Sequence, residues 1–311
     1  MTGYNFFERE QCPACGERSI HKIYSLPEGS LVLSNYLKDF YFDQGGVDVS
    51  LLKGWSYELY QCKTCTLTFQ KNILGDELMR VLYEEWINPE ITLEWSKKHP
   101  LSYYLNLVEE ITLMVSYFGK QPYELKFLDF GMGWAEWCKV ASALGCQAYG
   151  AELSARRRDH AAKHNIEVID IDSASPNTFD CINTEQVFEH IPHPLRSLKK
   201  LKELLKPGGL IKISVPDGYQ LAKLLLINNW QAPKGTADSL NVVAPLEHIN
   251  CFNHKSLLTM AKRSGLSLVT SLAYRKYPRS VMDVLKNSFR HWYINKVRPN
   301  KGTYLFFQKP F

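Results

Sequence analysis

The stretch Lys126-Phe127-Leu128-Asp129-Phe130-Gly131-Met132-Gly133-Trp134 constrains the fold more than any other part of the chain. A short apolar run passes directly into a Gly-x-Gly turn, and residues 134–144 continue with helical spacing. Such a unit opens a doubly wound α/β sheet, where the first turn brings backbone N–H groups and a helix N-terminus toward a ligand. A dinucleotide fingerprint needs a third glycine at 136. Glu136 stands there instead and sets a carboxylate where a pyrophosphate would sit.

The turn therefore predicts a ligand without phosphate and with positive groups, an amino group and a sulfonium, near Asp129 at the strand end. S-adenosylmethionine is such a ligand. Gln147 to Glu152 reads as a second strand, and Glu152 falls 19 residues after Gly133, close to the ~20-residue offset at which a carboxylate meets ribose hydroxyls. Glu167 to Ile169 is a short third strand. It leads to Asp170 and Asp172, one of which is expected to meet the adenine amino group. Asp180 to Asn183 forms strand four and opens into Thr184-Glu185-Gln186-Val187-Phe188-Glu189-His190-Ile191-Pro192. Lys206-Pro207-Gly208-Gly209 then turns into strand five, Leu210 to Val215. The cofactor-binding candidates are Asp129, Gly131, Gly133, Glu152, Asp170, Asp172 and Glu185.

The order Asp-Phe-Gly-Met-Gly, Gly-Ala-Glu, Val-Phe-Glu-His-Ile-Pro and Lys-Pro-Gly-Gly resembles the class I S-adenosylmethionine-dependent methyltransferases over roughly residues 120–215. A narrower resemblance rests on the cysteine pairs described next, together with Glu247-His248-Ile249-Asn250-Cys251-Phe252 and Ser256-Leu257. It points to the sugar C-methyltransferases of deoxysugar pathways, and implies that His190, Glu247 and His248 face the acceptor as catalytic candidates. Two departures stand against it. The family's tyrosine two residues before the Glu-His pair is Pro245 here, and the family's long C-terminal domain has no counterpart before Phe311.

Four of eight cysteines form two Cys-x-x-Cys pairs, Cys12/Cys15 and Cys62/Cys65. A two-residue spacer lets both sulfurs of one turn reach a tetrahedral ion, and Gly16 suits the first turn. The 46 residues between the pairs exceed the usual template. Loop closure grows only with the logarithm of length, so the excess adds under ~1 kcal/mol against ~10–16 kcal/mol for structural zinc. A redox role is disfavoured because neither pair opens a helix after a strand. Four thiolates close the coordination shell, so the expected Zn2+ is structural. Leu26 to Ser30 as a turn and Trp55 to Tyr60 as an alternating strand predict a small, sheet-rich, zinc-ribbon-like module.

These features divide the chain into a zinc-binding module over residues 1–72, a helical cover segment over 73–119 and a Rossmann-like methyltransferase domain over 120–311, closed by strands near 266–273 and 303–308. With 45% apolar residues, a net charge of +5 and no apolar run of ~18 residues, a cytoplasmic globular protein is expected. The acceptor is expected to be a small molecule or glycan precursor. Nucleic acid is disfavoured, because Glu28, Asp39, Asp43, Asp48 and Glu58 punctuate the cysteine region. Residues 275–301 carry eight Lys/Arg against the single acid Asp283. They read as an amphipathic helix with a solvated basic face, or as a surface for an anionic partner: a nucleotide-linked sugar, a phospholipid-carrier surface or RNA.

Overall fold

The computed structural model describes residues 6–270, 272 and 303–311. The basic segment 275–301 lies outside them. In chain order the elements are β1 (Phe6–Glu8), β2 (Ile20–Leu26), α1 (Leu31–Phe42), β3 (Tyr57–Cys62), β4 (Thr68–Gln70), β5 (Asn72–Leu74), α2 (Asp76–Val81), α3 (Pro89–Ser96) and α4 (Leu101–Phe118). They continue with β6 (Lys126–Phe130), α5 (Glu136–Ala143), β7 (Gln147–Ala151), α6 (Ala155–Lys163), β8 (Glu167–Val168), β9 (Phe179–Glu185), α7 (Pro194–Leu204) and β10 (Leu205–Ser214). The last are α8 (Leu221–Ile227), β11 (Asn250–Cys251), α9 (His254–Arg263), β12 (Ser267–Leu268) and β13 (Tyr304–Gln308). Among the described residues, no helix is long and apolar enough to cross a membrane.

The chain forms two compact units. One comprises residues 1–97, 188–195 and 215–260, and the other residues 98–187, 196–214 and 261–311. Sequence order alone does not show this grouping. The stretch around His190 belongs with the cysteine pairs because the Leu195 N–H bonds to the Pro13 carbonyl and the Asn250 N–H to the Glu189 carbonyl. That around His248 belongs there because Tyr57, Leu59, Leu74 and Trp86 share one buried apolar cluster with Leu221, Trp230, Leu240 and Leu246. In this first unit β11, β4, β3 and β2 form a sheet in that order, with β1 and β5 as a separate antiparallel pair.

Between the knuckles the strands β2 and β3 expected of a sheet-rich ribbon are joined by a helix, α1, that the ribbon reading does not include. Its start is capped by the Ser30 hydroxyl, which accepts the Leu33 N–H at 3.4 Å. Leu33, Tyr36, Leu37 and Tyr41 then fall at helical spacing and are buried. The aromatic density of this stretch gives the helix a partner cluster, and burial outweighs its modest intrinsic propensity.

The second unit is a seven-stranded mixed sheet ordered β12-β13-β10-β9-β6-β7-β8. Strands β6 to β10 run parallel to one another, and β13 runs antiparallel to β10 and β12. Strand order reverses between β6 and β9, which is the switch point where open α/β sheets bind ligands beyond the carboxyl ends of their strands. The Rossmann-like doubly wound fold expected from the sequence is present. One detail differs: β10 begins at Leu205, and Lys206-Pro207-Gly208-Gly209 is an irregularity inside it, with the register against β9 shifting between Leu205 and Leu210. Pro207 has no N–H for a ladder, so a bulge absorbs it.

Candidate functional site

In the second unit the glycine turn follows from two sterically forced positions. Gly131 has φ 76°, and a Cβ there would come within 2.6 Å of the Val187 side chain. Gly133 has φ 54° with no protein atom within 4 Å of where a Cβ would stand, so its backbone can be approached closely. Asp129 ends β6 directly opposite Asn183 of β9. The Asn183 amide donates to the Asp129 carboxylate at 2.7 Å, and the pair is buried. Burial raises the Asp129 pKa to about 7, with Asn183 and Lys212 working against that rise. A buried carboxylate at the switch point is suited to a cationic ligand group, whose charge would offset the desolvation.

Glu152 follows β7 and is held in one orientation. One carboxylate oxygen accepts the N–H groups of Leu153 and Ser154 at 2.8 and 3.1 Å, and the other accepts the Gly133 N–H at 3.1 Å. Arg157 lies 3.8 Å from it. The same carboxylate thus binds the backbone just ahead of α6 and reaches the glycine turn, which fits a group that meets ligand hydroxyls beside that turn. Asp170 and Asp172 are exposed after β8, where Asp170 accepts the Asp172 N–H at 3.0 Å in a tight turn. Glu185 ends β9, with Lys212 at 2.5 Å and the Ser214 hydroxyl at 2.9 Å.

Sequence reasoning did not single out the partners that fix these groups. Asn183 carries a signal in hindsight, because it stands at the end of strand four beside the end of strand one. Lys212 carries a weaker one. It is a lysine inside the apolar run Leu210 to Ile213, buried between Glu110 and Glu185 at 2.8 and 2.5 Å.

In the first unit the two cysteine knuckles repeat one backbone pattern. Gly16 N–H bonds to the Cys12 carbonyl and Thr66 N–H to the Cys62 carbonyl, while Cys12 and Cys62 each donate across the turn to Glu17 and Leu67. Gly16 and Thr66 both adopt positive φ, at 78° and 63°. The four sulfurs are buried and lie within 4.8 Å of one another, with Cys12–Cys65 at 3.5 Å and Cys15–Cys62 at 3.6 Å. Bonds of ~2.3 Å to a tetrahedral Zn2+ place sulfurs ~3.8 Å apart, so the four thiols fit that ion with small adjustments. All eight cysteines are free thiols.

The same unit gathers His190, Glu247 and His248. The imidazole centroids of His190 and His248 are 5.0 Å apart. Nδ1 of His190 lies 3.0 Å from the Glu247 carbonyl and 3.2 Å from the Tyr83 hydroxyl. Nδ1 of His248 bonds the Asn241 carbonyl. A carbonyl only accepts, so each Nδ1 carries a hydrogen, and Nε2 is the nitrogen that can act as a lone-pair donor when the ring is neutral. Burial lowers the His248 pKa to about 4, so its ring is neutral at pH 7. Desolvation raises the Glu247 carboxyl above its ordinary value, with the Tyr41 hydroxyl and Lys234 opposing the rise. Neither Tyr41 nor Tyr83 announces itself in the sequence as part of this cluster, because both sit at positions that read as core-facing.

A profile described as a methyltransferase domain matches residues 104–271. Among curated relatives, the ubiquinone biosynthesis O-methyltransferase of Chromobacterium violaceum is 26% identical over 161 residues, covering 47% of this chain and 66% of that protein. The chain thus spans just under two thirds of that relative's length. The protein of the same name from Coxiella burnetii is 26% identical over 240 residues, covering 71% of this chain and 91% of that one. Among solved structures, the plantazolicin methyltransferase BpumL in complex with S-adenosylhomocysteine is similar with a TM-score of 0.49 and 14% identity, over 90% of this chain and 99% of that one. The profile covers more than half of the 311 residues, and a seven-stranded sheet carries its glycine turn and strand-end acids: the chain belongs to the methyltransferase domain family, the class I S-adenosylmethionine-dependent methyltransferases.

Proposed function

We propose that this protein transfers a methyl group from S-adenosylmethionine to a small-molecule acceptor, and that zinc in the four-cysteine cluster has a structural role only. The observation that carries the reading is the Asp129–Asn183 pair at the strand switch point, with Glu152 anchored to the Gly133 N–H. In this reading Asp129 meets the amino group of the cofactor, Glu152 its ribose hydroxyls and Asp170 or Asp172 the adenine. Gly131 and Gly133 allow the backbone to come close, and Glu185 lies toward the methionine end.

When bound, the cofactor supplies an electrophilic methyl group on a sulfonium. The protein holds the acceptor in line with it, and positioning supplies most of the rate. For a hydroxyl or acidic C–H acceptor, an imidazole of His190 or His248 takes the proton through Nε2, and Glu247 tunes that pair. Their convergence within one unit supports an acceptor-side role, although they are far apart in sequence.

The names of the curated relatives favour a small molecule, and ubiquinone biosynthesis favours an oxygen acceptor in those proteins. A glycan precursor such as a sugar nucleotide is the narrower acceptor class that the Glu247-His248 motif supports. A cytoplasmic setting and peripheral membrane contact through 275–301 complete the proposal. The test is a methyl-transfer screen with isotopically labelled cofactor against sugar nucleotides and phenolic acceptors. Label in a sugar product supports the narrower class, label in a phenol replaces it, and transfer to neither removes the small-molecule reading.

A further inference from the structure

Glu189, His190 and His248 lie in the first unit, and nothing in the methyl-transfer reading uses Glu189. Each of the three offers one ligand atom, and these atoms lie within 4.8 Å of one another. Nε2 of His190 is 3.8 Å from the Glu189 carboxylate. We propose that these three side chains form a second metal site, for a divalent first-row transition ion, separate from the four-cysteine cluster.

Four features of the site argue for this. The donor set, two imidazoles and a carboxylate, is the one that suits Zn2+ or Fe2+ with a position left open. Metal-binding histidines nearly always donate their other ring N–H to a carbonyl or carboxylate, which fixes the ligating nitrogen. His190 and His248 do so through the carbonyls of Glu247 and Asn241, so that an ion would be met through Nε2 of each.

The backbone that presents the ligands is clamped. The Glu189 carbonyl accepts the Asn250 N–H at 3.0 Å. The Asn250 amide donates to the carbonyls of Phe188 and Ile191 at 3.0 and 2.7 Å, so it grips both sides of the Glu189-His190 pair. Buried Arg9 in turn donates to the Asn250 side chain at 2.7 Å and to the Ile249 carbonyl at 2.6 Å. Finally, Glu189 and His248 are buried, at 1% and 8% exposure, where a carboxylate and an imidazole side by side gain most from a shared cation.

Two bonds of ~2.1 Å span at most ~4.2 Å, and ~3.4 Å at a tetrahedral angle, so loading draws the three ligand atoms somewhat closer together. Side-chain rotation about clamped backbone is enough for that. Three protein ligands leave a place for water or for an acceptor oxygen, whereas four thiolates leave none; the ion takes up both Nε2 atoms, so the proton-accepting role proposed above for His190 or His248 belongs to the protein without this ion.

The test uses the full chain equilibrated with Co2+, with ions per chain counted by native mass spectrometry in wild type, Glu189→Gln and His248→Ala. Thiolate-to-cobalt charge-transfer absorption from the cysteine cluster reports in each sample that the unit is folded. Both variants are expected to hold one ion fewer than wild type while keeping that absorption. An equal ion count in all three proteins would overturn the site. The count does not depend on turnover, so an inactive protein that loses its second ion only in the variants would remove the methylation reading and leave this one standing.

Discussion

In the second unit, every proposed cofactor residue sits at or just past the end of a parallel strand, and successive strands bring the next residue within tens of positions. In the first unit, the histidine cluster is drawn from residues 83, 189–190 and 241–248, and the cysteine cluster from two turns 46 residues apart. The second unit keeps its chemistry close in sequence because a doubly wound sheet delivers strand ends to one edge in order. The first is stitched from three chain stretches around a shared aromatic core, so its chemistry depends on packing that no local motif encodes. Perturbations should accordingly stay local in the second unit and spread in the first.

The largest expected effect breaks the first unit. Cys62→Ser opens a shell whose binding free energy is typically ~10–16 kcal/mol, so the variant should lose its ion and most of the cooperative unfolding of that unit. Metal analysis with calorimetry checks this, and a metal-free wild type of unchanged stability would sink the structural role. Next in size is His248→Ala, expected to lower turnover by ~10²–10⁴-fold with cofactor affinity unchanged, read from steady-state kinetics beside calorimetric titration. Equal turnover would take His248 out of the reaction.

The sharper end of the comparison lies in the second unit. Glu152→Ala removes a carboxylate that accepts three backbone N–H groups, and should weaken S-adenosylmethionine binding by ~10–100-fold while leaving the metal content intact. Unchanged affinity would strip Glu152 of its ribose role. The smallest effect is on pH dependence. With its pKa at about 7, Asp129 is mostly protonated at pH 6 and ionised at pH 8, so cofactor affinity should rise with pH, by up to ~10-fold across that range. In the free protein the sign is opposite for stability. The folded pKa exceeds the ordinary 3.8, so the folded state binds the extra proton, and this contribution is lost as pH rises toward 7. A flat binding profile in isothermal titration, with Asp129→Asn behaving like wild type, would refute the assignment.

How much could be read beforehand follows from the same contrast. Strands β6, β7 and β9 and the turn between Phe130 and Trp134 were legible because a buried strand followed by glycines is a local pattern. The two knuckles were legible as spacing. Thr66 at positive φ was not, since Gly16 signals that conformation in the first turn and threonine does not. Helix α1 carries a local signal, with Leu33, Tyr36, Leu37 and Tyr41 at helical spacing behind Ser30, but the two flanking cysteine pairs point to a sheet-rich ribbon instead. The roles of Asn183, Lys212, Tyr83 and Arg9 are not legible in the sequence for one reason: each acts by holding another functional group, and that relation exists only once distant segments have packed.

The central claim is that the second unit holds S-adenosylmethionine at the Asp129 and Glu152 edge of its sheet. Isothermal titration of the full chain with the cofactor, repeated with Asp129→Ala, tests it most directly. One cofactor per chain in the wild type, with affinity lost in the variant and the ion count unaltered, is the predicted result. No binding by a folded wild type, or equal binding by both proteins, would contradict it.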